Sequence, residues 1–230
     1  MKKISGYELF ARYMPAILTA IPFLCLGFLL MKGPTGDIIA FLMSLKFCGY
    51  LSISIAGLYF WAQLIRSTAK HFEKRYFMDK SGFPTSYLML YSHVGYSDAY
   101  KDLYRKRIQK GFGFSLFSKD QEFQDPTEAL RQLNDITKQV ILRVGDGVLV
   151  GKHNQWYGFF RNLIGGAVYG VLGSVLNVIL ARYVLQEIGL LYISIPLVLI
   201  YCGLLLFRRE LLIQHAEAYA RQLHAEFMQE

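Results

Sequence analysis

Four blocks of the chain are almost purely apolar, and the charged residues gather between and beyond them: Met14 to Met31, Ile38 to Leu64, Leu163 to Val184 and Ile188 to Phe207. A hydrocarbon core about 30 Å thick is crossed by roughly 20 residues at 1.5 Å rise each, so each block predicts a transmembrane helix. The first block follows Lys2, Lys3 and an amphipathic decapeptide, with no small-x-small cleavage site behind it, and reads as a retained span rather than a signal peptide. The expected fold class is therefore mainly α, a polytopic helical membrane protein with four transmembrane helices. Its parts are an N-terminal amphipathic segment with spans one and two (1–64), a cytoplasmic domain (65–161), spans three and four (162–207) and an amphipathic C-terminal helix (208–230).

The periodicity of the middle segment is mixed, which predicts a small α/β or α-rich domain. Leu64, Ile65, Ala69, Phe72 and Phe77, with cations between them, predict a helix continuing out of span two, and Gly82-Phe83-Pro84 stops it. Tyr87-Leu88-Met89-Leu90-Tyr91 is a short apolar run that reads as a buried strand. Ser97-Asp98-Ala99-Tyr100 opens a helix with Tyr100, Leu103, Tyr104 and Ile108 on one face, Lys101, Arg105, Lys106, Arg107 and Lys110 on the other, and Gly111 after it. Gly111 to Phe117 fits a loop or an edge strand. Asp125-Pro126-Thr127-Glu128 is a strong helix start, with Asp125 as N-cap, Pro126 at the first helical position and Glu128 completing a capping-box arrangement. Leu130, Leu133, Ile136, Val140 and Val144 then recur at helical spacing up to Gly145. After Phe207, the stripe Leu212, Ala216, Tyr219, Ala220, Leu223, Phe227 predicts a helix that packs on the middle domain or on another subunit.

Charge sets the orientation. Of 25 Lys and Arg, three precede span one, sixteen lie from Arg66 to Arg161 and three follow span four, leaving only Lys32 and Arg182 on the opposite side and Lys46 within a span. Cationic residues near span ends resist translocation, so both termini and the middle segment are expected in the cytoplasm. Tyr59, Phe60 and Trp61, and Trp156, Tyr157, Phe159 and Phe160, fall where rings favour the headgroup level. The 230 residues are 53% apolar with a net charge of +8, outside the range of ordinary soluble domains. Cys25, Cys48 and Cys202 all lie in apolar blocks at unrelated spacings, which excludes a secreted disulfide framework.

Candidate chemistry is sparse. Lys46 lies about eight residues into span two, where a charge costs roughly 2.5–3.5 kcal/mol. It either snorkels outward, pairs with Asp37 or Glu187, or joins Tyr50 and Ser54 in a polar, pore-lining stripe. Asn177 of span three completes this set of gating candidates. Gly166, Gly170 and Ser174 form one row of small residues and Gly173, Asn177 and Ala181 a second. Such rows let helices approach closely, and one is expected to pack within the chain and the other between copies. The basic helix Lys101, Arg105, Lys106, Arg107, Lys110 suits anionic lipid or nucleic acid, although positive-inside bias already accounts for its charge. The five histidines show no metal-ligand spacing, no nucleophile elbow is present, and Gly111-x-Gly113 lacks the third glycine of a dinucleotide loop. No cofactor, no metal and no enzymatic activity are expected. A small transporter or lipid-modifying enzyme would need an intramembrane acid, and the spans carry none.

Lys70-His71-Phe72-Glu73-Lys74-Arg75, Gly82-Phe83-Pro84-Thr85 and Tyr157-Gly158-Phe159-Phe160-Arg161-Asn162-Leu163 follow one another in an order and at separations that resemble a family of uncharacterised bacterial four-span inner-membrane proteins. That family carries a Lys/Glu-rich exit from span two, a Gly-x-Pro-Thr segment and a Tyr-Gly-Phe-Arg-Arg-Asn-Leu signature before span three. Tyr157, Gly158, Arg161 and Asn162 match the signature. Phe160 stands at one of its basic positions, and Lys80-Ser81-Gly82 replaces a common Trp-Gly-Gly. The resemblance implies the four-span topology and no particular activity. The layout is also similar to membrane components of anti-phage systems, a fold-level analogy. The function expected is a homo-oligomeric membrane sensor or pore-type effector with a cytoplasmic protein partner, and the alternative is a non-conducting anchor or scaffold that recruits a cytoplasmic effector.

Overall fold

The computed structural model describes residues 6–30, 47–78 and 82–230, with the side chains of 28–30, 47–54 and 78 outside the description. It is 87% helical, and no strand occurs among the described residues. In chain order the helices are α1 (Met14–Leu30), entered through a short turn Gly6–Glu8 and a π-helical turn Leu9–Tyr13, then α2 (Phe47–Glu73), α3 (Pro84–Tyr87), α4 (Asp98–Phe112), α5 (Lys119–Gln124), α6 (Pro126–Val144), α7 (Val148–Leu180), α8 (Ile188–Leu206) and α9 (Arg208–Gln229). Among the described residues, three stretches are long and apolar enough to cross a membrane: Gly6–Gly27, Val148–Leu185 and Ile188–Leu206. The second apolar block enters the description only at Phe47, so its first half lies outside the described residues.

The chain divides into two compact units. The first, 1–72 with 158–209, is the membrane unit, and its helices α1, α2, α7 and α8 are tied together by small and polar residues. Ala16, Ala62 and Ile65 form its buried cluster, with Trp61 and Tyr169 against it. Two proline ties set the position of the first span. Pro22 has no amide hydrogen to give the Leu18 carbonyl four residues back, and the Tyr201 hydroxyl of α8 donates to that carbonyl at 2.6 Å instead. Pro15 likewise cannot serve the Ala11 carbonyl, and Asn162 Nδ2 of α7 donates to it at 2.6 Å. Because a bilayer core offers no water to an open carbonyl, these substitutions by side chains allow prolines inside a span. The outer faces stay apolar: Leu172, Tyr192, Leu199 and Leu206 are all more than half exposed, as suits contact with lipid.

The second unit, 73–157 with 210–230, is a helical domain. Its core joins Met89, Tyr104, Ile108, Leu133, Ile136, Val140, Val144, Val150, Leu223 and Phe227. The stripe of α9 thus packs on the middle segment. Ser97 caps α4 by accepting from the Tyr100 amide at 3.3 Å, and Gly113, at φ +67°, ends the helix two residues later than Gly111 suggests. Asp125 caps α6 by accepting from the Glu128 amide at 3.0 Å. The Glu128 carboxylate turns to Arg131 at 2.7 Å instead of closing a capping box. The reciprocal box forms at Ser118 and Gln121, opening α5.

The expected strand at Tyr87 to Tyr91 is corrected. Pro84 at the first helical position starts the single turn α3, and the chain then continues through turns to Tyr96. A strand needs a neighbour to take its amides and carbonyls, and none occurs among the described residues. Tyr87, Leu88 and Met89 are buried in succession because the turn is covered on several sides. Residues 113–118 are a loop, which resolves the loop-or-strand alternative.

Candidate functional site

The helical domain carries a groove of about 590 Å³, within the range of ligand and peptide-anchor sites. Its floor is set by local sequence. Gly82 takes φ +78°, and a Cβ there would lie 2.9 Å from Leu130 Cδ1, so this corner has room only for glycine. Phe83 is extended before Pro84, and α3 then presents Thr85 and Ser86 to α6. Thr137 Oγ1 donates to the Thr85 carbonyl at 3.2 Å and lies 3.4 Å from Ser86 Oγ. Leu130 and Ile141 of α6 and Ala216 and Tyr219 of α9 supply apolar walls, and Asn134 and Lys138 sit on the rim.

Buried polar groups hold these walls in register. The Tyr157 hydroxyl donates to the buried Glu73 carboxylate, and the Tyr157 ring lies parallel to Tyr219 with centroids 6.4 Å apart. His224 of α9 is fully buried, with Nε2 2.9 Å from the Thr85 carbonyl and Nδ1 3.3 Å from the Tyr96 hydroxyl. Since a carbonyl only accepts, Nε2 carries the hydrogen and Nδ1 accepts from Tyr96. Burial pushes the His224 imidazolium down to about 4. The Tyr87 hydroxyl donates to Glu217 at 2.9 Å, so Glu217 links α9 to α3. The groove therefore offers shape and apolar surface, and Lys138, paired with Asp135 at 2.9 Å, is its one rim cation among the described residues.

The basic helix is corrected in part. Lys101 is buried, donates to the His93 carbonyl and is held below its usual range by that burial. Arg105 bonds the Phe117 and Met89 carbonyls at 3.1 and 3.0 Å and the buried Glu122 at 3.1 Å, with its guanidinium 4.0 Å from the Tyr91 ring centroid. The Tyr91 hydroxyl in turn donates to Asp102, and burial and that bond push it up to about 12. Helical spacing places 101, 104, 105 and 108 on one face, and the long stems of Lys and Arg let that face go inward. Lys106 and Lys110 remain exposed and Arg107 is half-buried, while Leu103 of the expected apolar face is 54% exposed.

In the membrane unit both rows of small residues pack within the chain, which corrects the expectation that one serves a contact between copies. A Cβ on Gly166 would lie 2.6 Å from Thr19, one on Gly170 2.7 Å from the Tyr201 ring and one on Gly173 2.8 Å from Phe23. Ser174 is fully buried beside them. Asn177 is buried and donates to the Pro22 carbonyl at 2.7 Å. Lys46 lies outside the described residues, and Tyr50 and Ser54 fall on α2 with their side chains outside the description. The signature residues divide between the units: Tyr157 bonds Glu73, Gly158 faces Ala11 and Tyr7, Arg161 is half-buried and Asn162 holds the Ala11 carbonyl.

Four working residues escaped the sequence reading. Glu73 hides in a cationic run, Tyr201 in an apolar block, and Glu122 beside a helix start. His224 was readable, because it follows Ala216 and Ala220 at four-residue steps on the apolar stripe. Among the described residues no group of three or more His, Cys, Asp or Glu side chains could hold a metal ion. No protein-family model, curated protein or solved structure matches the chain.

Proposed function

We propose that this protein is a bacterial inner-membrane sensor with four spans and both termini in the cytoplasm, working as a homo-oligomer. In this reading its helical domain receives an apolar segment of a cytoplasmic protein partner in the groove, and the spans carry the response, in the setting of anti-phage defence. The observation that carries it is the groove itself. Two of the stretches that resemble the four-span family, Gly82 to Thr85 and Tyr157, meet on its walls. Nothing in the reading calls for bond-making chemistry, a cofactor or nucleic acid. A partner that favours one packing of α3 against α6 and α9 biases α9, which is separated from the end of α8 by Phe207 alone.

A photo-crosslinking residue at Ile141, on the groove, tests this in cells. The reading predicts a discrete protein adduct that is absent when the same residue replaces Phe123, which is exposed elsewhere. Asn134→Trp, which fills the groove from its rim, should remove the adduct and the protection against phage while leaving the helical content unchanged. Equal adducts at both positions, or full protection with Asn134→Trp, contradict it.

One observation favours the alternative output, a non-conducting anchor that recruits an effector. Asn162, Asn177 and Tyr201, three polar residues of the spans, each donate to a backbone carbonyl. Under this alternative, Lys46→Leu leaves ion leakage unchanged and the membrane potential survives activation. For a pore-type effector, Lys46→Leu abolishes the leak.

A further inference from the structure

Two of the three cations of α4 that remain outside the domain core meet a cation of α6 at a separate place. Arg107 and Lys110 of α4 and Arg143 of α6 surround a second cavity of about 400 Å³, floored by Phe227 and closed on one side by Glu230. Arg143 Nε holds Glu230 Oε2 at 2.7 Å, and both side chains are about two-fifths exposed. The Arg143 guanidinium also crosses Gly111, where a Cβ would meet Nη1 at 3.1 Å, and lies 5.7 Å from the Phe112 ring centroid. Arg107 rests over Phe227 at 5.8 Å. Neither Arg107 nor Lys110 has a carboxylate partner among the described residues.

Helix ends explain part of this charge. Lys110 and Arg143 stand in the last turns of α4 and α6, each of which carries about half a negative charge. The two ends offset about one cation, the end of α9 beside Phe227 about half of another and Glu230 one more, so the three cations leave an excess of about half a unit around an open, polar cavity. Two guanidiniums and an ammonium arranged about one space present the donors that a phosphate's oxygens take, the Arg residues as forks and the Lys as a point charge.

We propose that this cavity binds a phosphate group, carried by a soluble phosphorylated molecule or by an anionic lipid headgroup, and that the Glu230 carboxylate is its built-in competitor. Phosphate displaces Glu230 from Arg143 and frees the last turn of α9. The site is independent of the groove.

The test uses the full chain in nanodiscs of phosphatidylcholine and follows acylation of individual lysines by mass spectrometry during titration with inorganic pyrophosphate at constant ionic strength. Lys110 should be protected, and Lys106 and Lys138 should not. Glu230→Gln removes the competitor and should lower the half-effective pyrophosphate concentration about two- to fivefold, the worth of a half-exposed ion pair. Arg143→Gln should raise it by more than that. Protection of Lys110 in phosphatidylglycerol nanodiscs without pyrophosphate identifies the headgroup as the source, and protection by pyrophosphate alone identifies the soluble molecule. The proposal is overturned if Lys110 reacts at the same rate in all arms, if all three lysines are protected alike, or if Glu230→Gln leaves the half-effective concentration unmoved.

Discussion

Burial keeps His224 neutral. Its two nitrogens are satisfied by the Thr85 carbonyl and the Tyr96 hydroxyl, the Tyr104 ring lies edge-on at 5.4 Å, and Arg221 one turn away opposes a second proton. The folded value of about 4 lies below the unfolded value near 6.5, so the unfolded chain binds the proton more readily. The stabilisation is present in full above about pH 6.5 and is lost as the pH falls towards the folded value, by about 3 kcal/mol once both states are protonated. Denaturation of the helical domain at a series of pH values checks this. The wild type minus His224→Gln difference should shrink steadily from pH 7 to pH 4, and a difference that stays constant across that range contradicts the assignment. Tyr201 offers a second residue-level test, since its hydroxyl stands in for the amide hydrogen that Pro22 lacks. Tyr201→Phe should cost about 1 kcal/mol in the wild type and much less beside Pro22→Ala, where residue 22 can serve the Leu18 carbonyl itself. A double-mutant cycle of unfolding free energies in detergent measures the coupling, and additive effects would dissociate the hydroxyl from the proline.

Among the elements, α7 is the one that the membrane unit is built around, and its glycines mark the approaches of α1, α2 and α8. Gly165 meets the Ile65 carbonyl and Ala69, Gly166 meets Thr19, and Gly170 meets Tyr201. Gly166→Ala should destabilise the unit by about 1–3 kcal/mol through overpacking. Gly203→Ala, where a Cβ meets nothing within 4 Å, should be neutral or slightly stabilising. Thermal unfolding of the two variants in one detergent checks the contrast, and equal melting points contradict it. Element starts were legible where a cap acts locally: Ser97 and Asp125 each bond an amide three residues on, within the window that sequence patterns describe. The run Tyr87 to Tyr91 was not legible, because a short apolar run is buried equally well in a strand or in a covered turn, and only a partner strand decides between them. Lys101 and Arg105 misled for a related reason. Their charge marks a surface face, while the carbonyls of His93, Met89 and Phe117 that draw them inward come from distant turns.

For the whole molecule, the alternation of apolar blocks and cationic stretches leads to the expectation of membrane helices and a separate domain, and the structure divides into two compact units, 1–72 with 158–209 and 73–157 with 210–230. The groove was out of reach of the pattern, since Gly82, Leu130, Tyr157 and Ala216 come together only through tertiary packing. A cytoplasmic partner can reach the groove only if the domain lies on the cytoplasmic side of the bilayer. In a background with Cys25, Cys48 and Cys202 replaced by serine, single cysteines at Lys138, on the domain, and at Tyr183, an exposed position at the far end of the third span, can be labelled in intact cells with a membrane-impermeant maleimide. The account predicts that Tyr183→Cys reacts at once and that Lys138→Cys reacts only after the inner membrane is opened. Labelling of Lys138→Cys in intact cells, with Tyr183→Cys protected, would contradict it.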